Sequence, residues 1–194
     1  MKPRFLDLQR ASLAVNVLLV LLCTLLISQN RALKSARSPA PGPAALKPGD
    51  HVEGFSYRTL AGEIRRLDYS ETGSRNLLFV ISTSCPFCQK SLPNIQRLFD
   101  ENRNGACRIL VVSIHELALT MKFAADHHVG FPLVATAGEE FAHEYRISGV
   151  PTTILVSGGG VVEKVWEGEL TDGLSTEIEG ALAQRSSLPR TSTL

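Results

Sequence analysis

An apolar run that leads directly into a pair of cysteines is the feature that most restricts what this chain can fold into. Residues 76–82 read Asn-Leu-Leu-Phe-Val-Ile-Ser, and their length and lack of alternation favour a strand buried on both faces. A short loop then leads to Cys85-Pro86-Phe87-Cys88, after which apolar residues recur at helical spacing to about residue 102. Open α/β sheets place their chemistry in such strand-to-helix loops. The segment therefore predicts an α/β fold with the cysteines at the carboxyl edge of its sheet.

The rest of the pattern predicts a mixed sheet sandwiched by helices, preceded by an N-terminal β-hairpin. Residues 55–60 and 63–67 form that hairpin around an Ala-Gly turn. Further strands are predicted at residues 107–114, 131–135, 152–156 and 161–166. Further helices are predicted at residues 116–127, 139–145 and 171–183, the first with Leu117, Met121 and Ala124 or Ala125 on one face. Alternating strands and helices that end in a hairpin and a closing helix indicate this architecture.

The spacing of the two cysteines predicts thiol–disulfide chemistry. Cys85 would cap the helix and Pro86 would be its first residue, where the missing N–H of proline costs nothing. The unpaired N–H groups and the positive end of the helix dipole would stabilise a thiolate on Cys85. Cys88 would lie on the same face within disulfide reach. We therefore predict a redox-active Cys85–Cys88 disulfide in which Cys85 attacks a partner disulfide and Cys88 resolves the product.

Two unrelated buried thiols, or half of a zinc site, are the alternatives for this pair. Tetrahedral zinc usually needs a second Cys/His pair, and neither His127-His128 nor Cys107 with His115 has the spacing. The histidines are predicted to be surface or partly buried residues, and Cys107 and Trp166 to lie in the sheet. No metal and no cofactor are predicted. A net charge of +1 gives no electrostatic case for nucleic acid.

The N-terminal region predicts a membrane anchor followed by a spacer. Residues 11–27 carry no charge and are dominated by Leu and Val, a length near the short end for a transmembrane helix. A cleaved signal peptide is the alternative, although the residues after position 27 match a cleavage site poorly. The predicted organisation is a cytoplasmic segment at 1–10, a transmembrane anchor at 11–28, a Pro/Ala-rich linker at 29–48, a globular domain at 49–184 and a mobile tail at 185–194.

The orientation of the anchor follows from a nearly balanced charge distribution. Three basic residues precede the apolar run, and three more lie within residues 28–37. The α-amino group tips the balance towards a cytoplasmic N-terminus. We therefore predict a single-pass protein of the cell membrane whose catalytic domain faces the periplasm or the cell exterior.

Three motifs together resemble the thioredoxin superfamily, and specifically its TlpA/ResA-like membrane-anchored thiol–disulfide oxidoreductases. They are the Cys85-Pro86-Phe87-Cys88 motif, Pro93 inside the following helix, and the segment Ser-Gly-Val-Pro-Thr-Thr-Ile-Leu at residues 148–155. The resemblance implies a thioredoxin-like fold, a cis Val150–Pro151 bond facing Cys85, and client binding by Pro86, Phe87 and Val150. An ordinary trans proline that starts a strand is the alternative for Pro151.

The resemblance also implies a role for Glu116 and a class of partners. Relatives often carry an acidic residue near the cysteines, so Glu116 is a possible proton shuttle for Cys88; an inert glutamate in the first turn of a helix is the alternative. Many relatives have Trp where this chain has Ser84, and the motif also resembles the MauD-like branch. The implied partners are disulfide-containing exported proteins, for example during maturation of cytochrome c or another enzyme, and a membrane thiol electron donor.

Two other functions remain open from the sequence. A metallochaperone or assembly factor on the same fold usually has a longer cysteine spacing and a dedicated histidine. A thiol peroxidase would need a proline and a threonine at fixed positions before the nucleophile, where this chain has Leu78 and Ser82.

Overall fold

The computed structural model describes residues 15–26, 28–29, 45–69, 74–103, 105, 107–136 and 138–184. The chain divides into two compact units, residues 1–42 and 43–194. In the first unit, residues 15–26 and 28–29 are helical (α1), and the large apolar side chains of 15–26 are exposed. Within the described ranges, no helix has both the length and the apolar character needed to span a bilayer. The predicted cytoplasmic segment, part of the predicted anchor, most of the linker and the tail lie outside the described residues.

The second unit contains a seven-stranded sheet in the order β2-β1-β5-β4-β3-β6-β7. The strands are β1 (Phe55–Thr59), β2 (Ile64–Leu67), β3 (Arg75–Ile81), β4 (Cys107–Ser113), β5 (Leu133–Ala135), β6 (Thr152–Ser157) and β7 (Val162–Glu167). The helices are α2 (Pro86–Glu101), α3 (Leu117–Asp126), α4 (Gly138–Glu144) and α5 (Asp172–Ala183).

The sheet is mixed, as predicted. Strands β3, β4 and β5 are parallel, whereas β6 pairs antiparallel with β3 and β7 pairs antiparallel with β6. The N-terminal hairpin β1–β2 joins the sheet through antiparallel pairing of β1 with β5. In the parallel pair, Ile81 lies opposite Ser113, so β3 and β4 end side by side at one edge. The loops that follow these two strands therefore lie close together.

Strand β3 is the centre of the core and is buried on both faces, as its continuous apolar sequence predicts. Leu77, Phe79 and Ile81 pack with α2 and α5 on one face. Leu78 and Val80 pack with residues of α4 and of the N-terminal hairpin on the other. Each such side chain contributes roughly 1.5–3 kcal/mol on full burial, so the strand is a rigid base for the loop that follows it.

Two predicted details of the secondary structure are wrong. Strand β5 begins at Leu133 and not at residue 131, because Pro132 has no N–H to donate to a sheet ladder. The buried residues of α3 are Thr120 and Phe123, whereas Met121 is 47% exposed. Thr120 turns inward because its hydroxyl donates to Ser113 Oγ at 2.9 Å. A count of apolar residues alone misses a polar residue that is buried by such a hydrogen bond.

Candidate active site

Cys85 occupies the N-cap of α2, and Pro86 is the first helical residue. The backbone of Cys85 is extended (φ −88°, ψ 117°). The N–H of Cys85 donates to Ser82 O at 3.2 Å, and its carbonyl accepts from Gln89 N at 3.2 Å. The thiol is half-buried and lies above the first turn of the helix. The N–H groups of that turn and the helix dipole favour negative charge there. The position predicted from the Cys-Pro pair is therefore confirmed.

Cys88 lies one turn further along α2 and is fully buried, with 0% exposure. Burial raises the pKa of Cys88 to about 12, a backbone hydrogen bond with Ser82 acts in the opposite direction, and Cys85 raises it further. The pair therefore combines an accessible outer sulfur with an inner sulfur that is protonated at neutral pH.

The loop before β6 faces Cys85 across the site. The Val150–Pro151 peptide bond is cis, as the family resemblance implies. The Cys85 thiol donates to the carbonyl oxygen of Val150 at 3.6 Å between Sγ and O. The loop is held by Thr152, whose hydroxyl donates to Gly149 O at 2.7 Å, and by Gly168, whose N–H donates to Pro151 O at 2.9 Å. A polar backbone group thus lies directly beside the reactive sulfur.

The residues predicted to bind a client lie around this sulfur. Pro86 and Phe87 are exposed on the helix side, and Val150 is half-buried on the loop side. Phe87 is 54% exposed, and the ammonium group of Lys90 lies 5.5 Å from its ring centroid. The predicted substrate-binding residues are therefore brought together.

Helix α2 is held by contacts that the sequence does not reveal. The buried hydroxyl of Ser91 donates to Phe87 O at 2.8 Å and accepts from Leu170 N at 2.9 Å. Asn94 donates to Leu170 O at 2.7 Å. Pro93 lies inside the helix, between these two residues, as predicted. The segment before α5 thereby fixes the half of α2 that carries the cysteines.

Glu116 is the predicted proton shuttle for Cys88. It is exposed at the N-cap of α3 and lines a groove of about 440 Å³ with Tyr57, Ile64 and Leu117 among others. The pKa of Cys88 is shifted by its burial, by backbone hydrogen bonds and by Cys85. Glu116 is not among the groups that shift it. Its role as a proton shuttle stays a prediction.

His115 is the residue near the site that sequence reasoning missed. Its Nδ1 atom lies 2.5 Å from Thr83 Oγ1, and its Nε2 atom lies 3.4 Å from Ser82 Oγ. The ring therefore contacts the loop that leads into Cys85. The signal was present in the chain, because His115 follows β4 and Ser82 follows β3, and parallel neighbours end at the same edge. Among the described residues, no group of three or more His, Cys, Asp or Glu side chains is arranged to hold a metal ion.

Residues 48–165 match the sequence profile of the AhpC/TSA family, which is more than half of the chain. The chain belongs to the AhpC/TSA family. It is 30% identical over 131 residues to the thiol-disulfide oxidoreductase ResA of Halalkalibacterium halodurans, a match that covers 67% of this chain and 74% of that protein. It is 23% identical over 168 residues to ResA of Bacillus subtilis, covering 86% of this chain and 89% of that protein.

A solved structure supports the fold. The thioredoxin domain of a thiol-disulfide oxidoreductase from Bacteroides vulgatus superposes with a TM-score of 0.60 at 21% identity, covering 71% of this chain and 99% of that domain. The fold is thus a thioredoxin-like α/β fold with a mixed sheet. With relatives named as thiol–disulfide oxidoreductases, this AhpC/TSA member is an enzyme of that class and of the ResA type.

Proposed function

We propose that this chain is a membrane-anchored thiol–disulfide oxidoreductase that reduces or rearranges disulfides in exported proteins through Cys85 and Cys88. One observation carries the proposal: an accessible thiol at a helix N-terminus faces the carbonyl of Val150, with a buried thiol one turn below it. A nucleophile and a resolving group need this asymmetry.

The reaction consists of two thiol–disulfide exchanges. The Cys85 thiolate attacks a client disulfide, a bond forms between Cys85 and one client sulfur, and the other client sulfur leaves as a thiolate and takes up a proton. Cys88 then loses its proton and attacks Cys85 Sγ, which releases the first client sulfur as a second thiol. The client gains two electrons and two protons, and the Cys85–Cys88 pair is oxidised to a disulfide.

The client would bind as an extended segment beside the loop that contains Pro151. The carbonyl of Val150 next to Cys85 offers a backbone acceptor for such a segment, and Phe87 offers an apolar contact. A membrane thiol electron donor would return the oxidised pair to the dithiol by the reverse exchange.

The anchor is the second part of the proposal. It rests on the uncharged run at residues 11–27 and on the exposed apolar side chains of α1, such as Leu18, Val20 and Leu21. The dithiol domain would then face the periplasm or the cell exterior. Membrane fractionation tests the anchor, and labelling of Cys85 in intact cells with a membrane-impermeant maleimide tests the orientation. Recovery of the full chain in the soluble fraction would contradict the anchor.

Trapping the mixed disulfide tests the roles of the two sulfurs. A Cys88→Ser variant lacks the resolving sulfur, so we expect it to accumulate a covalent complex with a disulfide-containing peptide that dithiothreitol dissolves. A Cys85→Ser variant is the matched control and should form no complex through Cys88. A complex that forms through Cys88 and not through Cys85 would reverse the proposed roles.

A thiol peroxidase is the second candidate. Ser82 holds the position where a threonine is expected in such an enzyme, whereas Leu78 holds the position where a proline is expected. Peroxide consumption by a Cys88→Ala variant, at a rate comparable with its disulfide exchange, would favour the peroxidase.

A further inference from the structure

The loop between β3 and Cys85 is held by the imidazole ring of His115. Both ring nitrogens face hydroxyl groups of this loop: Nδ1 lies 2.5 Å from Thr83 Oγ1, and Nε2 lies 3.4 Å from Ser82 Oγ. The first contact is a short hydrogen bond, and the second is a long one. Two contacts from one rigid ring fix the position of consecutive loop residues.

Ser82 connects this ring to both sulfurs. Its carbonyl oxygen accepts the N–H of Cys85 at 3.2 Å, and a backbone hydrogen bond with Ser82 opposes the rise that burial causes in the pKa of Cys88. Its hydroxyl accepts the N–H of Ser84 at 3.3 Å and lies 3.1 Å from Ser84 Oγ. At Cys85 the contact is to the backbone N–H, whereas at Cys88 the hydrogen bond acts on the thiol itself, so a displacement of Ser82 bears most directly on the Cys88 sulfur.

His115 is itself fixed in the structure by backbone hydrogen bonds. Its N–H donates to Ser113 Oγ at 3.2 Å, and its carbonyl oxygen lies 3.2 Å from Thr120 Oγ1. Ser113 and Thr120 are both fully buried and are hydrogen-bonded to each other. A buried and satisfied polar network of this kind is rigid. The backbone of His115 is thus held by the core, and its ring reaches the loop from this fixed position.

We infer that His115 is a positioning residue for the resolving step of the dithiol reaction. The inference rests on the proposed roles of Cys85 and Cys88 and deepens them. Cys88 is buried and its pKa is raised, so its attack depends on the few groups that stabilise its thiolate, of which the backbone of Ser82 is one. His115 holds Ser82 and Thr83 in the position in which the backbone of Ser82 can form its hydrogen bond with Cys88. Cys85 is half-exposed at a helix end and is less dependent on the loop.

A two-phase reaction with Ellman's reagent separates the steps in the full-length protein. Cys85 displaces one thionitrobenzoate and forms a mixed disulfide, and Cys88 then displaces the second as the Cys85–Cys88 bond forms. The background carries Cys23→Ser and Cys107→Ser, because these two thiols would also react. For His115→Ala we expect the second release to slow about fivefold, the usual effect of losing one hydrogen bond, and the first to change less than about twofold.

Three further variants distinguish positioning from a general loss of structure. His115→Asn keeps a hydrogen-bonding group near Thr83 and should recover at least half of the lost rate. Thr83→Val removes the hydroxyl without changing the shape and should slow the second release in the same way as His115→Ala, with the double variant no slower than either. His143→Asn, on the exposed side of α4, is the matched control and should leave both rates unchanged.

The outcomes separate this inference from the proposed function. If the parent protein releases only one thionitrobenzoate and forms no Cys85–Cys88 bond, the proposed function fails. If it releases both, but the second release is unchanged in His115→Ala and in Thr83→Val, only the role of His115 is overturned. If His115→Ala loses its folded circular dichroism spectrum, the comparison of Thr83→Val with the parent decides.

Discussion

The two ends of the parallel strands each carry a cysteine, and the two sites differ in what surrounds the sulfur. At the carboxyl edge, Cys85 lies at the start of α2 and has Cys88 one turn away. At the amino edge, Cys107 is the first residue of β4, half-buried beside Arg75. Burial raises the pKa of Cys107 to about 11, and the charge of Arg75 only partly offsets this.

Arg75 does not activate Cys107, because its guanidinium group is committed to other partners. It donates to the backbone carbonyls at the end of α5, those of Ala181, Leu182 and Gln184, and forms a 3.4 Å ion pair with Glu163. The cation therefore compensates the negative end of a helix. The two edges therefore differ in what surrounds the sulfur: a helix N-terminus and a second thiol at Cys85, and burial beside a cation with other partners at Cys107.

The largest expected effect comes from replacing the cysteine at the carboxyl edge with serine, compared with the same replacement at the amino edge. Cys85→Ser should abolish reduction of a disulfide-containing peptide, by at least about a thousandfold, because the hydroxyl is not a nucleophile at neutral pH. Cys107→Ser is the matched control and should change the rate less than about twofold. Peptide reduction followed by thiol release measures both. A large loss of the reduction rate in the Cys107→Ser variant would show that the reaction depends on the amino edge of the sheet, and would contradict the assignment of the reaction to Cys85.

The pH dependence of alkylation sharpens the contrast. A raised pKa means that the folded protein holds the Cys107 proton until the pH approaches about 11, so its thiolate fraction near pH 8 should be about a hundredfold below that of an ordinary thiol with a pKa of 9.0. In a Cys23→Ser, Cys85→Ser, Cys88→Ser background, the rate of iodoacetamide labelling should therefore keep rising through pH 10. A plateau below pH 9 would show that burial does not control this thiol.

Removal of Arg75 tests the structural role of the amino edge. An Arg75→Met variant leaves the Glu163 carboxylate and the last carbonyls of α5 without their cation, and one Glu163 oxygen already lacks a hydrogen-bond partner among the described residues. We expect the free energy of unfolding to fall by about 2–3 kcal/mol. Urea denaturation measures it. The folded variant should keep its rate of peptide reduction, and a specific loss of that rate would couple the two edges.

The smallest expected effect concerns the surface beside Cys85. Phe87→Ala removes an exposed apolar contact but neither sulfur, so the KM for a client peptide should rise about three- to fivefold while alkylation of Cys85 is unchanged. Met121→Ala, an exposed apolar residue on α3, is the control for general loss of apolar surface. An equal rise in KM in the two variants would show that Phe87 makes no specific contact with the client.

Much of the carboxyl edge could be predicted from the sequence because local signals determine it. The apolar run of β3 and the Cys-Pro pair at the start of α2 place Cys85 and Cys88 without knowledge of the remaining fold. The Val150–Pro151 segment required a family resemblance, since nothing local brings it to Cys85.

The contacts that sequence reasoning missed all depend on how distant segments meet. His115 reaches Thr83 because β3 and β4 end in register. Ser91 in α2 accepts a hydrogen bond from the N–H of Leu170, which lies in the segment before α5. The family resemblance implies an acidic residue near the cysteines at Glu116, but Glu116 lines the groove beside β1 and β2, and it is His115 that contacts the loop before Cys85. His115 and Glu116 are adjacent in the chain. The amino-acid composition of their loop does not reveal which of the two contacts the loop before Cys85.

The reduction potential of the Cys85–Cys88 pair determines whether this protein reduces client disulfides. The full-length protein in detergent is equilibrated with dithiothreitol or glutathione buffers, and the fraction of the pair in the disulfide form is measured by alkylation and mass spectrometry. We expect a two-electron transition near the value of thioredoxin, about −270 mV, as for other reductases. A transition near −120 mV would mean that the protein donates disulfides, and the absence of any Cys85–Cys88 disulfide would contradict the account.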